Sequence, residues 1–259
     1  MMIRLLLLLI VATPSLLSAQ TKIKSVALPL DVASAAVDRP GEIYVTSNDG
    51  TIRHYDIDGG LKAILTGEIP DLFEPRDGSR LFAFYRKGRH YDLINPSFEV
   101  SKSLRIDSSM VVDPLLVCPS GDYNIWAIDV ADKTLKKIDP ATSAILVEVE
   151  LNEFADLLTI KSIREYQGFL FIHDSKKGLI IFSGMGKQLK KIGDSNISYF
   201  NFIGEELYYK IGNQLQLFNL FTTETRSLPL PQFSQIALIT DERLYLLGDK
   251  TLEIFTPIH

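Results

Sequence analysis

PGEIYVTSNDGTIRHYDIDGG, Pro40 to Gly60, is the stretch whose reading decides the fold. It alternates as strand, tight turn, strand, turn: two short runs with β-branched and aromatic residues, separated by Asn-Asp-Gly and closed by Asp-Gly-Gly. The same unit returns along the chain as NIWAIDVADKTLKKID from Asn124, GFLFIHDSKKGLIIFS from Gly168, ELYYKIGNQLQLFN from Glu206 and RLYLLGDKTLEIFT from Arg243. A weaker copy, RLFAFYRKGRHYDLIN, starts at Arg80.

Aligning the copies produces three columns. The first strand carries Tyr44, Phe82, Trp126, Leu170, Tyr208 and Tyr245. The second opens with Ile52, Tyr91, Leu135, Leu179, Leu215 and Leu252, and closes with Tyr55, Ile94, Ile138, Phe182, Phe218 and Phe255. The closing column advances by 39, 44, 44, 36 and 37 residues, a mean of 40. A period of that length built only of short strands and turns is that of β-propeller blades, about four strands each. One blade cannot bury both of its faces, so stacked blades supply the core. The expected fold is all-β, a six-bladed propeller forming one domain over residues 20–259.

The ends suggest how the ring closes. The last copy stops at LEIFTPIH and has no outer strand, whereas VALPLDVAS, Val26 to Ser34, precedes the first copy. It resembles RSLPLPQFS, Arg226 to Ser234, which leads from blade five into blade six. The N-terminal strand is therefore expected to complete blade six and to remove the open edges of an unclosed ring.

Residues 1–19 read as a secretory signal peptide. Arg4 precedes an apolar run, and small residues follow at Ser18–Ala19. The apolar segment is 15 residues long and contains Pro14, short of the roughly 18 that a membrane span requires. No transmembrane span is expected after cleavage, and the mature chain should be periplasmic or secreted. Cys118 stands alone, so no internal disulfide can form. The net charge of −5 argues against a nucleic-acid partner.

With these features in place, the chain resembles six-bladed propellers of the NHL, TolB-like and sugar-lactonase-like type. More narrowly, VCPSGDYNIWAIDVADKTLKKID and LFIHDSKKGLIIFSGMGKQLKKI resemble a group of exported propellers from Bacteroidetes. The resemblance implies the fold, a Gram-negative host and a periplasmic location. It implies no particular activity, because propellers host enzymes, receptors and scaffolds alike.

Candidate chemistry is sparse. Enzyme propellers gather their reactive groups on the innermost strands, and the segments expected there are mainly apolar, with Asp71, Glu74, Lys161 and Asn201 as polar exceptions. Asp71, Glu74 and Asn201 are the residues that could contribute to a calcium site, which needs oxygen ligands from several blades, but they form no evident set. No metal and no cofactor is therefore expected outside that alternative. YDIDGG lacks the further carboxylates of a calcium loop and reads as a turn. SGMGK, Ser183 to Lys187, lies between two strands, so its glycines read as turn glycines rather than a phosphate loop. No nucleophile elbow or zinc-protease motif occurs. His54, His90 and His173 fall in different columns and read as packing or rim residues; Cys118 reads as a buried thiol.

The remaining signal is on the surface. Four of the six hairpin tips are basic: Arg86 and Lys87, Lys133, Lys176 and Lys177, and Lys250. They share one face of the disc and could focus positive potential on an acidic partner, although exposed tips also tolerate lysine for no functional reason. The leading expectation is a monomeric, non-enzymatic module that binds an envelope protein or an extracellular ligand. The alternatives are a metal-dependent hydrolase or lactonase with a channel site, and a scaffold in outer-membrane protein assembly.

Overall fold

The structure, a computed structural model, describes residues 20–76, 78–152 and 155–257. The leader expected at 1–19 lies outside the described residues. Among the described residues there are twenty-four strands in six antiparallel four-stranded sheets. Strand β1 is Lys22–Ala27. Blade one contains β2 (Val32–Val37), β3 (Ile43–Ser47), β4 (Ile52–Tyr55) and β5 (Leu61–Leu65). Blade two contains β6 (Leu72–Glu74), β7 (Leu81–Tyr85), β8 (His90–Ile94) and β9 (Val100–Arg105). Blade three contains β10 (Pro114–Pro119), β11 (Ile125–Asp129), β12 (Thr134–Asp139) and β13 (Ala144–Glu150). Blade four contains β14 (Ile160–Tyr166), β15 (Phe169–Asp174), β16 (Gly178–Ser183) and β17 (Gln188–Ile192). Blade five contains β18 (Ile197–Ile203), β19 (Glu206–Ile211), β20 (Gln214–Asn219) and β21 (Thr225–Pro229). Blade six contains β22 (Ile236–Ile239), β23 (Leu244–Leu247) and β24 (Thr251–Phe255), with β1 as its outer strand.

The expected closure is present. Strand β1 pairs antiparallel with β24, with Val26 opposite Leu252 and Lys22 opposite Phe255. The Thr256 amide donates to the Thr21 carbonyl at 2.9 Å, extending the clasp by one bond. The closing strand lies earlier than VALPLDVAS: it ends at Ala27, and Leu28 begins the crossover to blade one. Leu28 is equivalent to Leu230, because each is buried and each amide donates to a hairpin-tip carbonyl, of Lys250 and Asn213 respectively. The two Leu-Pro-Leu stretches therefore play similar parts, but offset by two residues.

Six apolar clusters occupy the six junctions between neighbouring blades. Tyr44 and Ile52 meet Leu81, Ala83 and Ile94 between blades one and two. Trp126, Ile128 and Leu135 meet Leu170, Ile172 and Phe182 between blades three and four. Tyr245, Leu252 and Ile254 meet Ile43, Val45 and Tyr55 where blade six closes on blade one. The second-strand columns divide cleanly between faces. Every opening residue, from Ile52 to Leu252, faces the following blade, and every closing residue, from Tyr55 to Phe255, faces the preceding one. Burying side chains of this size contributes roughly 1.5–3 kcal/mol each, so the junctions hold the ring together.

The first-strand column needs one correction. Its blade-four member is Phe171, which faces blade five, and not Leu170, which faces blade three. Phe171 pairs with Ile181 as Trp126 pairs with Lys137 and Tyr208 with Leu217. With a side-chain period of two, a one-residue slip moves a residue to the opposite face of its blade.

Two turn glycines mark close approaches between blades. Gly59 has φ 75°, and a Cβ there would lie 2.7 Å from Val26 and 2.9 Å from Ile254. Gly186 has φ 79°, and a Cβ there would lie 2.5 Å from Val149 and 2.7 Å from Val147. Each turn thus rests on the preceding blade. YDIDGG and SGMGK are hairpin turns, as expected: Asp56 Oδ1 accepts the Gly60 amide at 2.7 Å, and the Gly186 amide donates to the Ser183 carbonyl at 2.9 Å. Cys118 is free and buried.

Candidate functional site: the hairpin-tip face and the axial cavity

Antiparallel order fixes what shares a face. Each inner strand starts on the face that also carries the second-to-third-strand hairpin tips and the crossovers from the preceding blade. Backbone bonds join these parts: Leu28 to Lys250, Ile106 to Arg89, Leu151 to Lys133 and Leu230 to Asn213.

All the basic tip residues lie on this face, each in its own surroundings. The Arg86 guanidinium is 3.5 Å from Asp113, Lys176 Nζ is 3.7 Å from Asp156, and Lys250 Nζ is 3.9 Å from Asp31. Each aspartate belongs to the adjacent crossover. Exposed pairs of this kind contribute little to stability, but they place both signs of charge around the rim. Lys87 and Lys133 have no ion-pair partner among the described residues. Lys133 takes a left-handed φ of 61° in its turn, and the Lys177 amide donates to Asp174 at 3.0 Å.

The crossovers show something the sequence did not. Ile69, Val112, Leu158 and Phe233 each stand two or three residues before an inner strand, or before the residue that leads into it, and are 49%, 55%, 89% and 76% exposed. Each has local support. The Val112 amide donates at 2.8 Å to Asp129, a carboxylate held below its usual range by further backbone donors and by Lys136, against the opposing effect of its burial. The Leu158 amide donates to Asp156 at 3.1 Å. The Phe233 ring lies over the Lys210 ammonium, 5.3 Å from its centroid. Ile69 packs against the Gly50 tip. Lone apolar residues in loops read as core from sequence; only the face they share reveals them.

At the centre is a cavity of about 380 Å³. Its walls come from residues 33–36 of β2, the whole of β6, residues 161–164 of β14 and residues 198–200 of β18. Inner strands of blades one, three, four and five carry a register shift at their second residue: Ala33, Leu115, Lys161 and Ser198 are the bulged positions. A bulge re-aims its extra side chain, and Ala33, Lys161 and Ser198 all line the cavity.

The polar inner-strand residues separate by depth. Asp71 is at the rim, where its carboxylate accepts the Arg86 amide at 2.7 Å. Glu74 is deep and buried. Its Oε1 is 3.2 Å from Arg76 Nε and 3.6 Å from Arg164 Nε, while Oε2 has no hydrogen-bond partner. Asn201 Oδ1 accepts from Arg164 Nη1, and its amide nitrogen donates to the Tyr199 hydroxyl at 3.1 Å. Glu74 and Asn201 are thus brought to one place, but around the Arg164 guanidinium. Sequence reasoning passed over that arginine because it gave no inward signal of its own. Among the described residues no three His, Cys, Asp or Glu side chains group as a metal site would require. His173 also lines the cavity; burial pushes its imidazole below the ordinary value, and Nε2 has no partner. His54 is buried, stacked on Tyr44 and bonded to Glu42 at 2.6 Å, and His90 stacks on Tyr85.

The fold and its open axial cavity define the class, a six-bladed β-propeller. No protein-family model matches the chain, and no curated protein matches it. Solved structures do. Virginiamycin B lyase from Staphylococcus aureus superposes with a TM-score of 0.58 at 13% identity, covering 91% of this chain and 99% of the lyase. The β-propeller domain of Myceliophteria thermophila Cps50 (Swd1) gives 0.66 at 12% identity, covering 92% and 99%. The extracellular domain of a putative hybrid two component system from B. thetaiotaomicron gives 0.55 at 12% identity, covering 86% of this chain and 33% of that one. At these identities the likeness shows the fold alone. No helix among the described residues is long and apolar enough to cross a membrane.

Proposed function

We propose that this protein is an exported, monomeric, non-enzymatic binding module that presents its hairpin-tip face to an envelope protein. The observation that carries the reading is the set of four exposed apolar side chains, Ile69, Val112, Leu158 and Phe233, on four of the six crossovers of one face. Single exposed apolar residues need no explanation, and Tyr123, Met185 and Phe221 are exposed at turns of the opposite face; what supports the reading is that these four recur at comparable crossover positions. The aspartate-paired tips around them supply a polar rim, the common anatomy of an interface. The leader pattern at residues 1–19 supports export.

The test immobilises the protein and passes envelope extract over it with and without chelator. Leu158→Asp with Phe233→Asp should lower retention of the specific partner about 30-fold, the effect of losing an interface hot spot. Thermal melting should be unchanged, because both side chains are exposed. Reversing Arg86, Lys87, Lys176 and Lys177 to glutamate tests the rim and should have a smaller effect. Equal retention by the wild type and the apolar variant would remove this face from consideration.

A further inference from the structure

We propose that the cleft between blades two and three binds a small apolar acid, an anionic head on a flat hydrocarbon body. The cleft lies among the β6–β7, β10–β11 and β12–β13 connections, on the face opposite the hairpin tips. It is separate from protein docking at the tips, so either reading can fail alone. Its volume, about 430 Å³, is within the range of small-molecule sites.

One register position explains why this junction stays open. In blade three Val147, opposite Lys137, packs into the three–four core and lies under the Gly186 turn. The same position in blade two, opposite Leu93, is the exposed Lys102. A lysine keeps its head in water and cannot close the junction. Half-buried Leu93, Leu104 and Pro140 are left as walls.

The charges at the cleft have one sign. Arg76, Arg80 and Lys102 line it, and among the described residues no carboxylate does, on a chain of net charge −5. Arg76 is engaged, because its Nη2 donates to the Pro119 carbonyl and its Nε is 3.2 Å from Glu74. Arg80 and Lys102 are exposed and solvated. They select the sign of a ligand, while covering the apolar walls supplies the driving force. The planar fork of Arg80 suits a carboxylate.

Tyr123 is an independent observation. Its ring is 77% exposed and its φ is 68°, in the left-handed region. A glycine would hold that turn without strain, and strain kept by a bulky exposed residue points to use. The ring centroid lies 5.3 Å from the Arg80 guanidinium carbon, which sets an aromatic surface beside a planar cation.

This combination discriminates among ligands. A neutral hydrocarbon covers the walls but gains nothing from Arg80 and Lys102. A bare anion meets the cations but leaves the walls wet. A molecule with both parts uses the whole cleft.

The experiment is isothermal titration calorimetry of the purified protein with phenylacetate, phenylethanol and acetate as probes. Phenylacetate should bind at least about tenfold tighter than either of the others, the effect of one charge-assisted hydrogen bond. Arg80→Gln with Lys102→Gln should bring phenylacetate down to the level of phenylethanol; both side chains are exposed, so the variant should fold, and an unchanged melting curve checks this. Tyr123→Gly should weaken phenylacetate and phenylethanol alike without lowering the melting temperature, because glycine takes the left-handed conformation freely. Absence of phenylacetate binding at millimolar concentration, equal binding of phenylacetate and phenylethanol, or unchanged phenylacetate affinity in either variant would each overturn the proposal.

Discussion

The junction between blades three and four and the junction where blade six closes on blade one solve the same packing problem with different stitching. Both bury an apolar cluster centred on a large aromatic residue, Trp126 in one and Tyr245 in the other. In both, a left-handed turn glycine lies against the outer strand of the preceding blade, Gly186 on β13 and Gly59 on β1. The polar links differ. At the three–four junction the buried Glu165 carboxylate of blade four accepts from Ser120, from the Gly121 amide at 2.8 Å and from the Trp126 indole at 2.9 Å, all in blade three. At the closing junction the Tyr245 hydroxyl lies 3.1 Å from each of two carbonyls, Gly41 and Ile57, and Arg243 reaches Asp58 at 3.0 Å near the surface. The three–four junction is thus linked through one buried carboxylate, and the closing junction through a buried neutral hydroxyl with an ion pair nearer the surface. Apolar spacing repeats from blade to blade, while polar links are local solutions.

The largest expected effect breaks the closing junction outright. Deleting residues 20–27 removes β1, leaves β24 as an open edge and uncovers the cluster beneath Val26. Cooperative thermal unfolding should be lost and size-exclusion chromatography should show aggregation. A monomer with an unchanged melting curve would mean that the clasp is dispensable. Next comes Trp126→Ala, which empties the fully buried centre of the three–four junction and leaves Glu165 short of a donor. Urea unfolding should show a loss of about 3–5 kcal/mol. The smallest is Tyr245→Phe, which keeps the ring and removes only the hydroxyl bonded to Gly41 and Ile57. A loss of about 1 kcal/mol is expected. If it rivalled Trp126→Ala, the closing junction would depend on its polar link more than its apolar cluster.

The period, the six blades and the closure were legible because they rest on local alternation repeated every blade. Register within a blade was less secure. In GFLFIHD every residue from Phe169 to Ile172 is apolar, so no alternation distinguishes Leu170 from Phe171, and only the pairing with Ile181 does. The Glu165 link was out of reach, since its partners are 39 to 45 positions away in another blade. The candidate site was half legible. The basic tips announced a face, and Glu74 and Asn201 announced an axis. Arg164 between them and the exposed crossover side chains depend on which way a bulge or a loop turns, and residue identity alone does not encode that direction.

The clasp between β1 and β24 has a consequence for folding. The Thr21 and Thr256 backbones that meet at 2.9 Å are 235 positions apart, so blade six rests on a contact of very high sequence separation, the slowest kind to form. Until β24 meets β1, five blades can stack from local hairpins, while β1 stays unpaired and β24 keeps an open edge. The ring is exposed to edge-to-edge association for as long as that meeting is delayed.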